Sequence, residues 1–168
     1  LPRLLADAGY KAYIYMRPGP HEREYPSKSQ VFWWEAADSN HRLLAYRIPI
    51  QYCTGTDQLD EILQKQLQES DTSLGHIMCF YGVGDHGGGP TRRQIEFIQE
   101  NKTKYDGYEL LLSHPQAYLD AVAGKTAGLP VVKGELQYHA VGCFSVLHRI
   151  KQDLHRAEHK LAQVGRLA

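Results

Sequence analysis

Apolar residues recur at the start of the chain as Leu1, Leu4, Leu5 and Ala8, one face of a short helix with Pro2 in its first turn and Gly9 as its stop. The pattern then alternates. "KAYIYM" (11–16) reads as a strand ended by Arg17, and "SQVFWWEA" (29–36) and "RLLAYRIPI" (42–50) read as two more, joined into a hairpin by the turn-rich "ADSNH". From Thr56 to Ser70 the helical period returns with Leu59, Ile62, Leu63 and Leu67, and Asp57, Asp60 and Glu61 sit at the N-terminal end, where the helix dipole favours negative charge. "HIMCFYGV" (76–83) predicts a short apolar strand that runs into a glycine loop, and Pro90 starts a helix through Lys102. "GYELLLS" (107–113) predicts another strand, Ser113 and Pro115 open a helix to Ala123, and "LPVVKGEL" (129–136) is the last strand. Leu147, Ile150, Leu154, Ala157, Leu161 and Val164 then recur at spacings of three and four, the seam of a long helix that packs on other helices.

Strand and helix alternate through most of the length, and that order favours a parallel α/β sheet or barrel. The final helix breaks the rhythm and reads as the first of a helical module. We therefore expect a division into residues 1–142 and 143–168.

At 168 residues the chain can bury one ordinary core. Nineteen basic and nineteen acidic side chains cancel, so bulk charge gives no attraction to nucleic acid or to a membrane surface. Cys53, Cys79 and Cys143 are odd in number and far apart, which suits a reducing, cytoplasmic compartment better than a disulfide framework. No apolar run approaches the roughly 20 residues that cross a bilayer, and the N-terminus lacks signal-peptide form. The chain begins inside a helix pattern without methionine, so we expect sequence before it.

In a parallel α/β architecture ligands gather at the C-terminal ends of strands. Arg17, Asp85 with His86, Ser113 with His114, and His139 all fall at such ends, which predicts a shared site. The segment "FYGVGDHGGGPT" (80–91) sets five glycines around one Asp-His pair. It lacks a P-loop lysine, and Gly82, Gly84 and Gly87 form a G-x-G-x-x-G with an acid in the middle, which repels a phosphate. A turn that merely needs positive φ, or a close backbone approach to a ligand, each accounts for the glycines. His155 and His159, four apart beside Arg156 and Lys160, read as a solvated face; His139 is either a hydrogen-bonded structural residue or a ligand. Trp33 and Trp34 point to opposite faces of their strand, one for the core and one free to stack on a sugar ring or to pack.

Taken in order, these stretches resemble the α-mannosidases of glycoside hydrolase family 38, most closely the cytosolic and bacterial branch. "GVGDHGGGPT" is similar to that family's "GDGGGGPT" segment, "GELQYHAVGCFS" with "HRIKQDLHRAEHKL" to its "GEL…H" segment, "FWWEAADSNHRLLAYR" to its aromatic strand and "LAYR", and "IYMRPG" to a strand ending in Arg-Pro. The resemblance implies an internal piece of a barrel-like α/β catalytic domain followed by the start of a three-helix bundle. It implies a retaining exo-glycosidase that needs one divalent metal, Zn²⁺, and acts on a mannose-containing oligosaccharide or a mannoside, with a homo-oligomer compatible. By residue, Asp85 becomes the acid/base carboxyl and His139 a zinc ligand, while Arg17, His86, Trp34 and Tyr52 line the sugar site. His86 stands where the family usually has glycine. The nucleophile and the other zinc ligands are expected upstream of Leu1. A retaining glycosidase needs a second carboxyl about 5 Å from the first. A non-catalytic carbohydrate-binding or assembly module of the same fold is the alternative.

Overall fold

A computed structural model of the chain describes residues 1–19, 22, 30–84, 87–136 and 148–167. They fall into two units, Leu1–Glu135 and Leu136–Ala168. The expected division between residues 142 and 143 lies outside the described residues.

Four strands, β1 (Ala12–Tyr15), β2 (Val31–Glu35), β3 (Arg42–Arg47) and β4 (Val131–Lys133), form one sheet in the order β1-β3-β2-β4. The expected hairpin is present: β2 and β3 are antiparallel, with Val31 opposite Tyr46 and Glu35 opposite Arg42. β1 runs parallel to β3, and β4 parallel to β2. The sheet is therefore mixed rather than parallel. A tight turn can join only antiparallel neighbours, so the hairpin reverses the direction midway through the sheet. β1 and β4 consequently run in opposite directions, and their C-terminal ends open at opposite ends of the sheet.

Alternation along the strands sorts side chains to two buried faces, as expected of a sheet covered on both sides. Val31, Leu44 and Tyr46 join Leu74, Met78, Tyr118 and Val122 in one core cluster. Phe32, Trp34, Leu43 and Ala45, on the other face, are also buried.

Among the described residues the helices of the first unit are α1 (Pro2–Asp7), α2 (Leu59–Glu69), α3 (Arg92–Glu100) and α4 (Pro115–Val122), and the second unit holds α5 (His148–Leu167). In α1 the leucine stripe is not the buried face, since Leu1 and Leu4 are exposed and Pro2 is buried. In α2 the buried residues are Leu59, Ile62 and Leu63, as expected, with Gln66 in place of Leu67. Its side-chain amide donates to the carbonyl of Met78, which makes a glutamine tenable there. α4 is capped by His114 rather than Ser113: the His114 ring nitrogen accepts the Ala117 N–H at 3.4 Å. α5 is a continuous helix on which Ile150, Leu154, Leu161 and Val164 are exposed.

Two expected strands do not form. Residues 76–83 and 107–113 contribute no strand to the sheet. The first segment nonetheless alternates as a strand would. Met78 and Phe80 pack into the cluster under the sheet, while Cys79 and Tyr81 pack against Leu59, Leu63 and Ile98 of α2 and α3. A strand is a pairing as well as an alternation, and side chains take the place of the missing ladder (below). In the second segment the Leu110 amide donates to the Lys102 carbonyl, and Leu111 and Leu112 are exposed.

Candidate functional site

The glycine loop is best followed from its two stems. On the exit side, Thr91 is the N-cap of α3. Its Oγ1 accepts the Gln94 N–H at 3.2 Å, and Gln94 Oε1 accepts the Thr91 N–H at 3.0 Å, a reciprocal capping box. The side-chain nitrogen of Gln94 reaches the other way. It donates to Thr54 Oγ1 at 2.8 Å and to the Gly55 carbonyl at 3.1 Å. Thr54 in turn grips the entry stem: its amide donates to the Gly82 carbonyl at 2.9 Å and its Oγ1 accepts the Gly82 N–H at 3.3 Å. Both side chains are nearly inaccessible, Thr54 at 4% and Gln94 at 1% exposure, so these bonds form away from competing water.

Between the stems, Val83 donates to the Gly89 carbonyl at 2.9 Å and closes a neck. Glycine is demanded at two places in this neck. Gly82 has φ +122°, and a Cβ there would lie 3.0 Å from the Gly89 carbonyl carbon and from Pro90 N. Gly88 has φ +142°, and a Cβ there would overlap the Val83 carbonyl oxygen. Part of the glycine content therefore serves the loop's own closure. Asp85 and His86 fall between the stems in sequence and lie outside the described residues.

Of the remaining candidates, Arg17 lies two residues beyond the end of β1 and is exposed. The Ile48 amide donates to the Tyr15 carbonyl at 2.7 Å, which extends the β1–β3 pairing to the strand ends, so both strands leave the sheet on one side. From there a short connection, 48–53, leads to Thr54. Tyr52, on that connection, is exposed, and the Cβ of its neighbour Cys53 would be 3.6 Å from a Cβ at Gly84. The structure thus places Arg17 at the shared exit of β1 and β3, and Tyr52 on the connection that runs from this exit to the loop stems. Trp34 is elsewhere: it is fully buried in the sheet, its indole N–H donating to the Gly134 carbonyl at 2.6 Å. Trp33 packs instead of standing free, with its N–H on the Thr126 carbonyl and the Arg42 guanidinium 4.4 Å above its ring. His139 lies outside the described residues. β4, which leads toward it, ends at the opposite end of the sheet from β1, so a common strand end does not unite Arg17 with the exit of β4.

Among the described residues no group of three His, Cys, Asp or Glu side chains is arranged to hold a metal ion. His155 and His159 are exposed on α5, and His155 faces Glu158 at 3.3 Å, as a solvated helix face would. No helix among the described residues is long and apolar enough to cross a membrane.

Thr54 and Gln94 were not singled out by sequence reasoning. For Gln94 a signal existed, because "TRRQ" (91–94) has the T-x-x-Q spacing of a capping box. For Thr54 none did, since its partners are distant in sequence.

Residues 1–140 match the family model described as the glycosyl hydrolases family 38 N-terminal domain. None of the curated proteins is similar enough to this chain to count as a match.

Proposed function

This chain belongs to glycoside hydrolase family 38, and on that premise we propose that it is part of a zinc-dependent, retaining α-mannosidase that removes terminal α-mannosyl residues from oligosaccharides or mannosides. The observation that carries the reading is the glycine loop: one carboxylic residue, Asp85, set between two stems that buried side chains hold together.

Asp85 would donate a proton to the departing glycosidic oxygen and then take one from the attacking water, the two halves of acid/base work in a retaining mechanism. Arg17, exposed at the shared exit of β1 and β3, would supply a fixed positive charge that keeps neighbouring carboxylates ionised. Tyr52 is the exposed aromatic residue suited to a sugar wall, because Trp34 is enclosed in the core. His86 would line the same site. His139 would be one ligand of the zinc, which when bound acts as a Lewis acid on the sugar hydroxyls. The described side chains do not complete a ligand set, and the proton transfers above need none.

A barrel-like catalytic domain, with α5 as the first helix of a bundle, belongs to the same reading, as does a cytoplasmic location. The parallel pairs β1–β3 and β2–β4 and the regular apolar stripe of α5 support the architecture. The isolated chain is expected to be inactive, because the resemblance places the second carboxyl outside it.

The test is Asp85→Asn in the full-length protein. We expect loss of turnover by about 10²-fold or more on a mannoside with a poor leaving group, with the fold intact. Wild-type turnover in that variant would sink the assignment. Unchanged zinc content in His139→Ala would remove His139 from the ligand set, and saturable mannoside binding without hydrolysis by the full-length protein would favour a binding module.

A further inference from the structure

Resting on the reading of Asp85 as the acid/base, we infer that Thr54 and Gln94 are positioning residues for its carboxyl, acting by locking together the two stems of the loop that carries it. A carboxyl that must deliver a proton to one oxygen has to be held to a fraction of an ångström, and a glycine-rich segment does not hold it unaided. The neck ties together the two stems from which that segment leaves and to which it returns. Thr54 bonds Gly82 through both its amide and its hydroxyl oxygen, on the entry stem. Gln94 belongs to the helix that begins at the exit stem, and its amide nitrogen binds Thr54.

The arrangement exceeds what a helix cap requires. The capping box uses only the Oε1 and backbone N–H of Gln94. Its two side-chain N–H groups are both spent on Thr54 Oγ1 and Gly55 O, so every polar atom of this 1% exposed amide has a partner. A carboxylate there would set an acceptor against the Gly55 carbonyl and weaken the link to Thr54 while leaving the cap's acceptor in place. Gln94→Glu therefore probes the stem-to-stem link with little change of shape.

The proton supplies the discriminating readout. In the first step the nucleophilic carboxylate forms a bond to C1, the bond from C1 to the glycosidic oxygen breaks, and the acid/base proton passes to that oxygen. A sugar alkoxide needs the proton to leave, whereas a dinitrophenolate leaves without it. Misplacing the carboxyl slows only the first kind of substrate. Loss of folded protein slows both equally, so the ratio of the two is independent of how much enzyme is active.

The experiment compares kcat/KM on an α-linked mannobiose and on 2,4-dinitrophenyl α-mannoside, in the full-length protein carrying Thr54→Val, Thr54→Ser or Gln94→Glu. Thr54→Val and Gln94→Glu should lower the mannobiose value by about 10²-fold and the aryl value by less than about threefold, and Thr54→Ser, which keeps the hydroxyl, should restore the ratio. An unchanged ratio in both Thr54→Val and Gln94→Glu overturns the proposal. Asp85→Asn serves as the control. If it also fails to separate the two substrates, or if the wild type hydrolyses neither, the acid/base reading itself fails and the positioning role falls with it.

Discussion

The Tyr46 hydroxyl donates to the Met78 carbonyl at 2.8 Å and accepts the Met78 N–H at 3.2 Å, so one side chain from β3 satisfies both backbone groups of a residue outside the sheet. Gln66 of α2 adds a second donor to the same carbonyl. Burial pushes the Tyr46 hydroxyl well above the usual tyrosine range, so it stays neutral and keeps its proton to donate. Tyr46→Phe would leave the Met78 N–H buried without that acceptor. We expect a loss of about 1–3 kcal/mol in the full-length protein, measured by urea unfolding, with the Gln66 bond sparing the carbonyl. A loss under about 0.5 kcal/mol would show that the segment finds another partner.

That relationship also marks where sequence reading stops. The hairpin, β1, β4 and the helices were legible, because local alternation, helical spacing and proline placement specify them. The alternation of Met78, Cys79, Phe80 and Tyr81 was legible too, and the structure honours it. What alternation does not encode is the partner, and here the partners are a tyrosine hydroxyl and a glutamine amide rather than a strand. The strand direction was lost for a related reason: one hairpin reverses a sheet, and the order of β4 beside β2 is a long-range choice. Within the candidate site, the glycine loop could be picked out by residue type and Tyr52 was named only through the family resemblance, whereas Thr54 became visible only through bonds to residues 28 and 40 positions away.

Gly88 and Gly89 are adjacent glycines with different duties. Gly88 sits at φ +142° with the Val83 carbonyl where a Cβ would go, while a Cβ at Gly89 meets nothing within 4 Å. Gly88→Ala should therefore open the neck, lowering stability by about 1–3 kcal/mol and disturbing any activity that depends on the loop. Gly89→Ala should stay within about 1 kcal/mol of wild type. Thermal unfolding of the two variants side by side checks the contrast, and equal effects would refute the account of the neck.

Asp60 joins α2 to the turn after α3. Its carboxylate accepts from Lys104 Nζ at 2.6 Å and from the Tyr105 hydroxyl at 2.7 Å, with Gln64 on the same side chain. The Lys104 bond, followed by that from Tyr105, holds the Asp60 carboxyl below its usual value of 3.8. A carboxyl depressed in the folded state contributes stability that is present above the unfolded value and is lost as pH falls through the lower, folded one. The cluster is over a third exposed, so its worth is small, under about 1 kcal/mol for Asp60→Asn at neutral pH. The difference in Tm between wild type and Asp60→Asn should shrink as the pH falls below the usual carboxyl value of 3.8. A difference that grows on acidification would contradict the sign.

Cys79 faces α2 and α3 from the segment that Tyr46 holds, and burial pushes its thiol up from 9.0 to about 12. Two consequences follow from the thiolate being the reactive form. In the native full-length protein, iodoacetamide at about pH 8 should spare Cys79, which reacts only after unfolding. The linkage has the opposite sign to that of Asp60: a thiol raised in the folded state contributes stability fully present below its unfolded value and lost as pH climbs from about 9 toward 12. Cys79→Ala costs some packing at every pH, but it removes this slope, so wild type and variant should converge in stability as the solution becomes alkaline. Peptide mapping of the alkylated protein and unfolding curves across the alkaline range read the two effects separately. Rapid native labelling of Cys79 would mean that the segment opens, and that the Tyr46 hydroxyl does not hold it as a ladder would.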